Sequence, residues 1–319
     1  MTPLQPIALV TGADGFVGRF MTIALTQAGW RVRRAIRSAS DIASNVDVFT
    51  GLELTTSTRW QAALEGVQAV IHTAARAHLS MRVQKREQDL YMSVNVDGTM
   101  HLARSAIDAG VRDFVFLSSI AVNGSTTNGR VPFTEDDIAA PTTIYGHSKA
   151  AAEDRLAEIS ASSAMRVTAI RPPMIYGSGA RGNFRRLAAA VNAGIPLPFA
   201  LIRNRRAFLS VENLASFVAH RLNEVPKSNF DVFLLADDAQ VSTPEFIRML
   251  GRARGRKARI VPFPVPLLQI GLGPFDLSDT LIANLEIDTS KSRAGGWRPK
   301  LTLAEGLLNS AQAVEAGFG

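Results

Sequence analysis

Short apolar segments alternate with segments of helical periodicity over the first 175 residues. Apolar runs of seven or eight residues predict strands at 6–12, 30–36, 68–75, 113–119 and 166–172. The stretches between them predict helices at 16–29 and near 59–65, 93–109 and 145–160. This alternation is typical of a parallel sheet covered by helices on both faces.

The alternation weakens after about residue 175, where Pro, Gly and Arg become frequent. We therefore expect a first domain over 1–175 and a smaller C-terminal domain over 176–319. Part of 207–238 is expected to return to the sheet of the first domain.

The composition fits a globular protein and narrows its chemistry. The chain has 319 residues, of which 46% are hydrophobic and 20% charged, so it can bury a sizeable core. It has no cysteine, which excludes disulfides, thiol nucleophiles and cysteine-ligated metals. The five histidines do not have a metal-ligand spacing, so we expect no metal site. We expect His72 to pack within its strand and His147 to lie on the exposed side of its helix.

Charge and hydropathy restrict the partners. The net charge is +7, and the arginines are scattered apart from groups at 31–37, 203–206 and 252–256. This distribution favours an anionic small molecule over nucleic acid. The N-terminus shows no export signal, which predicts a cytoplasmic protein. No apolar run is long enough for a membrane span; the proline-rich stretch 260–275 predicts a loop on the core or the lip of a pocket, with a peripheral membrane contact as the less favoured alternative.

A glycine-rich loop joins the first predicted strand to the first helix. The sequence "TGADGFVG" (11–18) spaces its glycines as G-x-x-G-x-x-G. Glycines permit a tight turn, and the helix N-terminus beyond them offers free N–H groups to a pyrophosphate. The loop predicts a dinucleotide site in a Rossmann-type α/β fold, a doubly wound parallel sheet with a smaller C-terminal substrate domain. The loop residues assigned to the cofactor are Gly12, Asp14, Gly15, Phe16, Val17 and Gly18.

The end of the second predicted strand indicates which dinucleotide binds. An NAD site usually has an acidic residue there for the ribose, whereas an NADP site uses arginine for the 2′-phosphate. Here Ile36 occupies the acid position and Arg37 follows it. NADP(H) is therefore favoured over NAD(H); the alternative is that Arg37 only stacks on the adenine. Glu53 and Leu54 are expected to line the adenine pocket.

The stretch "TIYGHSKA" (143–150) places Tyr145 four residues before Lys149, which puts both on one face of a predicted helix. Alone, this spacing favours a solvated pair on a helix surface. Further motifs change that interpretation: "HTAA" (72–75), "NVDGT" (95–99), "FLSS" (116–119), "YGHSK" (145–149) and "RPPMIYG" (171–177). In this order the chain resembles the extended short-chain dehydrogenase/reductases, and within them the NAD(P)-dependent epimerase/dehydratase group that acts on nucleotide sugars.

The resemblance implies a catalytic role for three residues. Tyr145 would be the acid/base, Ser119 would hydrogen-bond the reacting oxygen, and Lys149 would hold the nicotinamide ribose and lower the pKa of the phenol. Moving a phenol pKa from about 10 toward 7 requires about 4 kcal/mol. A unit charge at ~4 Å with an effective dielectric constant of ~20 supplies about that much.

The resemblance also implies further cofactor contacts. They come from the ends of the predicted strands at 68–75, 113–119 and 166–172: Thr73, Ala74, Ala75, Ser118, Pro172 and Pro173. Asn95 would fix the geometry of the active-site helix, although an N-cap is an equally good interpretation.

One difference from the dehydratases of this group narrows the possible reactions. Sugar 4,6-dehydratases of this group have Asp-Glu directly after the catalytic hydroxyl residue, where this chain has Ile120 and Ala121. These side chains cannot transfer protons, so dehydration is not expected. What remains is hydride transfer at a sugar C4 alcohol or ketone, by a 4-keto reductase or a 4-epimerase. The resemblance places this chemistry in surface-polysaccharide synthesis.

The predicted substrate is a nucleotide-diphosphate sugar. By resemblance Arg206 would grip its diphosphate; the alternative is a surface arginine. Asn183, Phe199 and His78 are the other substrate candidates. Met174 replaces an asparagine of many relatives, and an arginine that they often carry before the "DTSK" segment is absent. The nucleotide, or a lipid-linked diphosphate in its place, therefore stays open.

Two alternative functions are consistent with the sequence, and the resemblance also predicts an oligomeric state. One is an NADPH-dependent reductase of a non-sugar ketone, of the dihydroflavonol or hydroxysteroid kind, and the other is a non-catalytic NADP-binding sensor. Relatives commonly pair the helices near 95–110 and 145–160, which implies a homodimer.

Overall fold

The computed structural model describes residues 5–37, 47–77, 84, 86–224, 228–272 and 281–315. Its strands are β1 (Ile7–Thr11), β2 (Arg31–Ala35), β3 (Val48–Phe49), β4 (Ala69–His72), β5 (Asp113–Leu117), β6 (Arg166–Arg171), β7 (Met174–Tyr176), β8 (Phe208–Ser210) and β9 (Phe230–Leu234). Its helices are α1 (Phe16–Gln27), α2 (Gln61–Leu64), α3 (Gln88–Met92), α4 (Thr99–Asp108), α5 (Ile144–Ala161), α6 (Gly182–Asn192), α7 (Val211–Arg221), α8 (Thr243–Ala253), α9 (Val265–Leu272), α10 (Ser290–Ala294) and α11 (Leu303–Glu315).

Seven strands form one parallel sheet in the order β3-β2-β1-β4-β5-β6-β9. The five strands expected from the sequence lie within their predicted ranges, and the doubly wound Rossmann-type fold is confirmed. The strand order reverses between β1 and β4. Ligands of such sheets bind outside the carboxyl ends of the strands at this point.

Helices cover both faces of the sheet, as the apolar strands require. On one face α4 and α5 pack against β1, β4 and β5 through side chains such as Leu102, Leu156 and Phe114. On the other face α1 and α7 pack through Met21 and Phe217. Both faces of the central strands are therefore sealed from water, and the carboxyl ends of the strands are where a ligand can approach them.

The segment 207–238 runs between the two parts of the molecule. Its first strand, β8, pairs with β7 in a separate two-stranded sheet. Helix α7 then packs against α1, and β9 joins the main sheet beside β6. Helices α6, α8, α9 and α11 gather around a second core, in which the rings of Phe208 and Phe246 stack at 3.9 Å between centroids. Helix α10 instead packs against β9 of the main sheet.

Asp237 ties this second core to the sheet. Its carboxylate accepts hydrogen bonds from the Tyr176 hydroxyl at 2.6 Å, the Ser210 backbone N–H at 3.0 Å and the Asn213 amide at 2.8 Å. Burial nevertheless raises the pKa of Asp237 to about 6, while the three donors act in the opposite direction. Ionisation of Asp237 therefore lowers the stability of the folded protein.

Of the helices within the described ranges, none is both long and apolar enough to cross a bilayer.

The raised pKa of Asp237 predicts how stability depends on pH. The native pKa of about 6 exceeds the unfolded value of about 3.9, so the native state binds the proton more tightly. Ionisation of Asp237 therefore costs stability progressively as the pH rises from about 4 to about 6. We expect Asp237→Asn to gain about 2 kcal/mol in unfolding free energy relative to wild type between pH 4 and pH 7. Urea unfolding at both pH values measures this.

The matched control is Asp136→Asn, which removes an exposed carboxylate and should keep the wild-type pH dependence. An Asp237→Asn variant that also kept it would show that burial of this carboxylate carries no cost.

Candidate active site

The glycine turn between β1 and α1 leaves no room for side chains. Gly12 has φ = +64°, and a Cβ placed there would lie 3.0 Å from the Ala74 Cα. A Cβ at Gly18 would lie 2.1 Å from the Gly12 carbonyl oxygen. Glycine is therefore required at both positions.

Helix α1 presents an uncapped N-terminus at this turn. Its N-cap residue, Gly15, supplies no side-chain hydrogen bond, and its first turn, which starts with Phe16 and Val17, contains no acidic residue. Asp14 accepts a bond from Arg19 Nε through its backbone oxygen. The N–H groups and the positive end of the helix dipole are thus available to an anion, and this cradle fits a dinucleotide pyrophosphate.

The segment after β4 packs beside the turn. The Thr73 hydroxyl donates to the Thr11 carbonyl at 2.7 Å, and the Ala74 N–H lies 3.4 Å from the Thr11 hydroxyl. Ala75, the next residue, is exposed. The predicted cofactor residues of β1 and β4 therefore meet at the strand-order reversal.

The three predicted catalytic residues also come together. Ser119 follows β5, and its hydroxyl is near enough to the Tyr145 phenol to favour the phenolate. One turn further along α5, the buried Lys149 donates from Nζ to the Leu117 carbonyl at 2.7 Å, and its Nζ lies 5.9 Å from the Tyr145 ring centroid. This is not a solvated surface pair.

The electrostatics of the pair differ from the sequence expectation. Burial raises the pKa of Tyr145 to about 12, and only the nearby Ser119 hydroxyl acts in the opposite direction. Burial lowers the pKa of Lys149 to about 7, against the attraction of Glu153. The expected lowering of the Tyr145 pKa considered only the attraction between the two charges. Removing both groups from water has the larger effect and disfavours both charged forms.

Local contacts explain why α5 begins at this point. The Thr143 hydroxyl caps the helix by accepting from the Gly146 N–H at 3.0 Å. A Cβ at Gly146 would lie 2.7 Å from the Ala121 carbonyl oxygen, so glycine lets the helix approach the Ser119 turn. Pro172, which with Pro173 follows β6 and is buried, accepts from the Ile120 N–H at 3.0 Å on the same turn.

The N-cap interpretation of Asn95 is wrong. Asn95 lies inside a π-helical turn, Ser93–Gly98, that joins α3 to α4. Its amide donates to the Ser148 hydroxyl at 3.0 Å, and its oxygen accepts from the Arg76 N–H at 2.8 Å. It thus links this helix to α5 next to Lys149, and π-helical turns of this kind are frequent at functional sites.

A buried charged network behind the catalytic residues was not predicted. Arg171, at the end of β6, makes contacts of 2.6–3.1 Å with both carboxylate oxygens of Glu153 on α5. The Ser118 hydroxyl donates to the same carboxylate, and Arg171 also donates to the Asn123 amide oxygen at 3.0 Å. Glu153 lies four residues after Lys149, and this spacing was the available sequence signal.

The residues predicted to contact the adenosine part of the dinucleotide lie after β2 and in the loop 51–59. Ile36 is buried and Arg37 is exposed directly after β2. Glu53 is exposed and contributes to a cavity of about 460 Å³ formed by the loop 51–59. Leu54 is instead buried, and its backbone packs against Gly98.

The substrate candidates are more dispersed. Arg206 is buried and donates to the Ala283 carbonyl at 2.6 Å, so the surface-arginine alternative is wrong. Asn183 is half-buried on α6, and Phe199 is buried in the C-terminal core. His78 lies outside the described residues.

Of the described histidines, His72 has a clear structural role. His72 is buried in β4 between the hydroxyls of Thr11 and Thr99, at 2.7 and 3.0 Å. Burial lowers its pKa to about 3, so it is neutral at physiological pH. His147 is exposed on α5. Within the described ranges, no three His, Asp or Glu side chains are placed to share a metal ion.

The Arg171–Glu153 pair predicts a large stability effect. Arg171→Met leaves the Glu153 carboxylate buried with little compensation, which should lower the unfolding free energy by about 3–5 kcal/mol. The matched control is Arg155→Met, because Arg155 pairs with Asp97 at 3.0 Å from the exposed side of α5. Its expected cost is below about 1 kcal/mol. Equal losses of the two variants in urea unfolding would contradict a special role for the buried pair.

Comparisons with known proteins agree with this geometry. The sequence model of the NAD dependent epimerase/dehydratase family matches residues 8–234. A UDP-glucose 4-epimerase of Vibrio cholerae is 37% identical over 311 residues, which cover 96% of this chain and 94% of that protein.

Two solved structures show the same fold. The UDP-glucose 4-epimerase of Thermus thermophilus, in complex with NAD, has a TM-score of 0.79 at 23% identity, over 97% of this chain and 99% of its own. RMD from Pseudomonas aeruginosa complexed with NADPH has a TM-score of 0.74 at 21% identity, over 98% and 99%. The chain therefore belongs to the NAD dependent epimerase/dehydratase family, and is an enzyme of the extended short-chain dehydrogenase type.

Proposed function

We propose that the protein transfers hydride at C4 of a nucleotide-diphosphate sugar, as a 4-keto reductase or a 4-epimerase. The observation that carries the proposal is the placement of the Ser119 hydroxyl and the buried Lys149 beside Tyr145, at the carboxyl ends of the strands where the glycine turn also lies. The similarity to the Vibrio cholerae 4-epimerase over nearly the whole chain supports the sugar substrate.

The side chains suit proton transfer at a carbonyl oxygen. With a pKa of about 12, the Tyr145 phenol is protonated at neutral pH and can donate to the oxygen of a ketone. Ser119, whose hydroxyl lies near the phenol, would hold the same oxygen. When bound, the nicotinamide would supply the hydride in reduction or accept it in oxidation. The opposite direction, oxidation of an alcohol, requires the phenolate, which in this structure burial disfavours.

Lys149 would link proton transfer to cofactor binding. An ammonium has three N–H donors, and Leu117 takes one of them. In the described part of the chain we find no second hydrogen-bond partner for Nζ. We propose that the remaining donors hold the ribose of the dinucleotide and that the charge then favours the phenolate.

Arg206 supports a diphosphate substrate. Its guanidinium is buried in the C-terminal region, where its backbone also pairs with Val241 and Leu285. A planar guanidinium held this firmly suits phosphate oxygens. We propose Arg206 and Asn183 as the phosphate contacts. Met174 and the missing arginine before the "DTSK" segment leave the nucleotide open.

We also propose NADP(H) as the preferred cofactor. Ile36 offers no carboxylate to a ribose 2′-hydroxyl, and the exposed Arg37 beside it can pair with a 2′-phosphate. Solved structures with this fold include complexes with NAD and with NADPH, so the fold does not decide between the two. A role in polysaccharide synthesis, a cytoplasmic location and a homodimer stay predictions.

Tyr145→Phe tests the chemistry. We expect turnover of a UDP-4-keto-6-deoxy sugar with NADPH, or of UDP-glucose with bound cofactor, to fall by at least about 100-fold because the proton donor is lost. Cofactor binding, measured by nicotinamide fluorescence, should be retained. His147→Phe, on the exposed side of the same helix, is the matched control and should keep both properties.

The substrates separate the alternatives. Oxidation of NADPH by the 4-keto sugar identifies a reductase, and exchange of UDP-glucose with UDP-galactose without net NADPH use identifies an epimerase. Turnover of a steroid or flavonoid ketone alone would favour the non-sugar reductase. Unchanged turnover in Tyr145→Phe would refute the assigned role.

Arg37→Ala tests the cofactor preference. Loss of charged hydrogen bonds to a 2′-phosphate should weaken NADPH binding by about 10–100-fold and leave NADH binding within about twofold. Arg31→Ala is the control, because Arg31 lies at the start of the same strand and pairs with Asp47. Equal effects of Arg37→Ala on both dinucleotides would support the adenine-stacking alternative instead.

A further inference from the structure

Exposed apolar side chains are concentrated in one part of the C-terminal region. Eleven large apolar side chains are exposed among the described residues, and six of these belong to two segments, 195–201 and 261–270. We call these six the apolar ridge: Ile195, Leu201, Val261, Phe263, Leu267 and Ile270. Ile270 is 74% exposed and Leu267 is 57% exposed.

Backbone pairing brings the two segments together. The Leu197 N–H donates to the Arg259 carbonyl at 2.8 Å, and the Val261 N–H donates to the Leu197 carbonyl at 2.9 Å. Helix α9, which carries Leu267 and Ile270, follows directly after this pairing. Concentrated apolar exposure of this kind marks an interaction surface rather than ordinary scatter.

The surroundings of the ridge are strongly basic. The segments 182–206 and 246–272 contain eleven arginine and lysine residues and no acidic residue. The net charge of the whole chain is +7, so the remainder of the protein is net acidic. The positive charge of this protein therefore belongs to the part of the fold that carries the ridge.

Several of these cations face solvent without a compensating charge. Arg252 is exposed in the last turn of α8, and Arg256, Lys257 and Arg259 are exposed between α8 and the ridge. No ion pair joins any of them to a carboxylate of the described residues. They are free to meet an external anion.

We propose that this face docks the protein on an anionic lipid bilayer. The ridge would enter the headgroup region, and the cations beside it would meet the lipid phosphates. Peripheral proteins bind in this way when an apolar surface and a cluster of Lys and Arg act together, since neither contribution alone holds the protein on the bilayer. The proposal does not depend on the reaction or on the cofactor.

Other occupants fit the face less well. Nucleic acid would satisfy the cations but would leave the exposed aliphatic side chains without a partner. A second copy of the chain in a two-fold arrangement would bring the same positive charges together. An anionic lipid surface matches both the charge and the apolar side chains.

Vesicle co-sedimentation tests the proposal on the full chain. We expect binding to phosphatidylcholine vesicles that contain about 30% phosphatidylglycerol, little binding to pure phosphatidylcholine, and release by about 0.5 M salt. The triple variant Arg256→Ala, Lys257→Ala, Arg259→Ala should weaken partitioning by about 100-fold, at about fivefold for each cation. The matched triple Arg293→Ala, Arg298→Ala, Lys300→Ala removes exposed cations elsewhere and should bind as wild type does.

A second pair of variants tests the ridge itself. Leu267→Ser with Ile270→Ser should weaken partitioning by about tenfold or more, whereas Val131→Ser with Ile138→Ser, at exposed positions outside the ridge, should not. All four residues are exposed, so thermal unfolding should be nearly unchanged and verifies folding.

Four outcomes would overturn the proposal: no binding to the anionic vesicles, equal loss in the control variants, a dimer that the Leu267→Ser, Ile270→Ser variant dissociates, or salt-sensitive binding to duplex DNA without binding to vesicles.

Discussion

The active site depends on a pair of charges placed in the protein core, Glu153 on α5 and Arg171 at the end of β6. Removing two ions from water is costly, and such a pair is tolerated only when its hydrogen bonds are nearly complete. Here Ser118 and Asn123 supply the remaining partners. The pair fixes α5 against the sheet in one rotation. Tyr145 lies eight residues before Glu153 on the same face, so its direction is set by a contact two turns away.

The sequence was informative wherever a structural requirement is local. Parallel strands buried on both faces must be apolar, and the turn at Gly12 admits only glycine, so the sheet and the cofactor turn could be predicted from short stretches. Contacts between distant elements could not. Asn95 was open between two roles because its partners, Arg76 and Ser148, are brought near it only by the fold. Sequence periodicity likewise did not predict the π-helical turn Ser93–Gly98, in which the Asn95 side chain is buried.

The prediction for Tyr145 and Lys149 shows a different limit. Their spacing predicted correctly that the two side chains lie close together, but it did not predict the balance of energies between them. A Coulomb estimate assumes that the ammonium is fully charged and that its charge lowers the pKa of the phenol. In the folded protein burial disfavours both charged forms, raising one pKa and lowering the other. At neutral pH the phenol is therefore protonated and Lys149 is only partly charged, and a bound anion would favour the charged form of Lys149.

The charges of the molecule are distributed unevenly, so an anionic surface would orient it. Its acidic residues lie outside the two basic segments 182–206 and 246–272, so the molecule has a net acidic part and a strongly basic part. A uniform excess of charge would attract an anionic surface without orienting the protein, whereas a segregated one does both. The apolar ridge lies within the basic part. Long-range attraction would therefore turn toward an anionic surface the described region in which exposed apolar side chains are most concentrated. The weaker, short-range hydrophobic contribution would act only after that orientation.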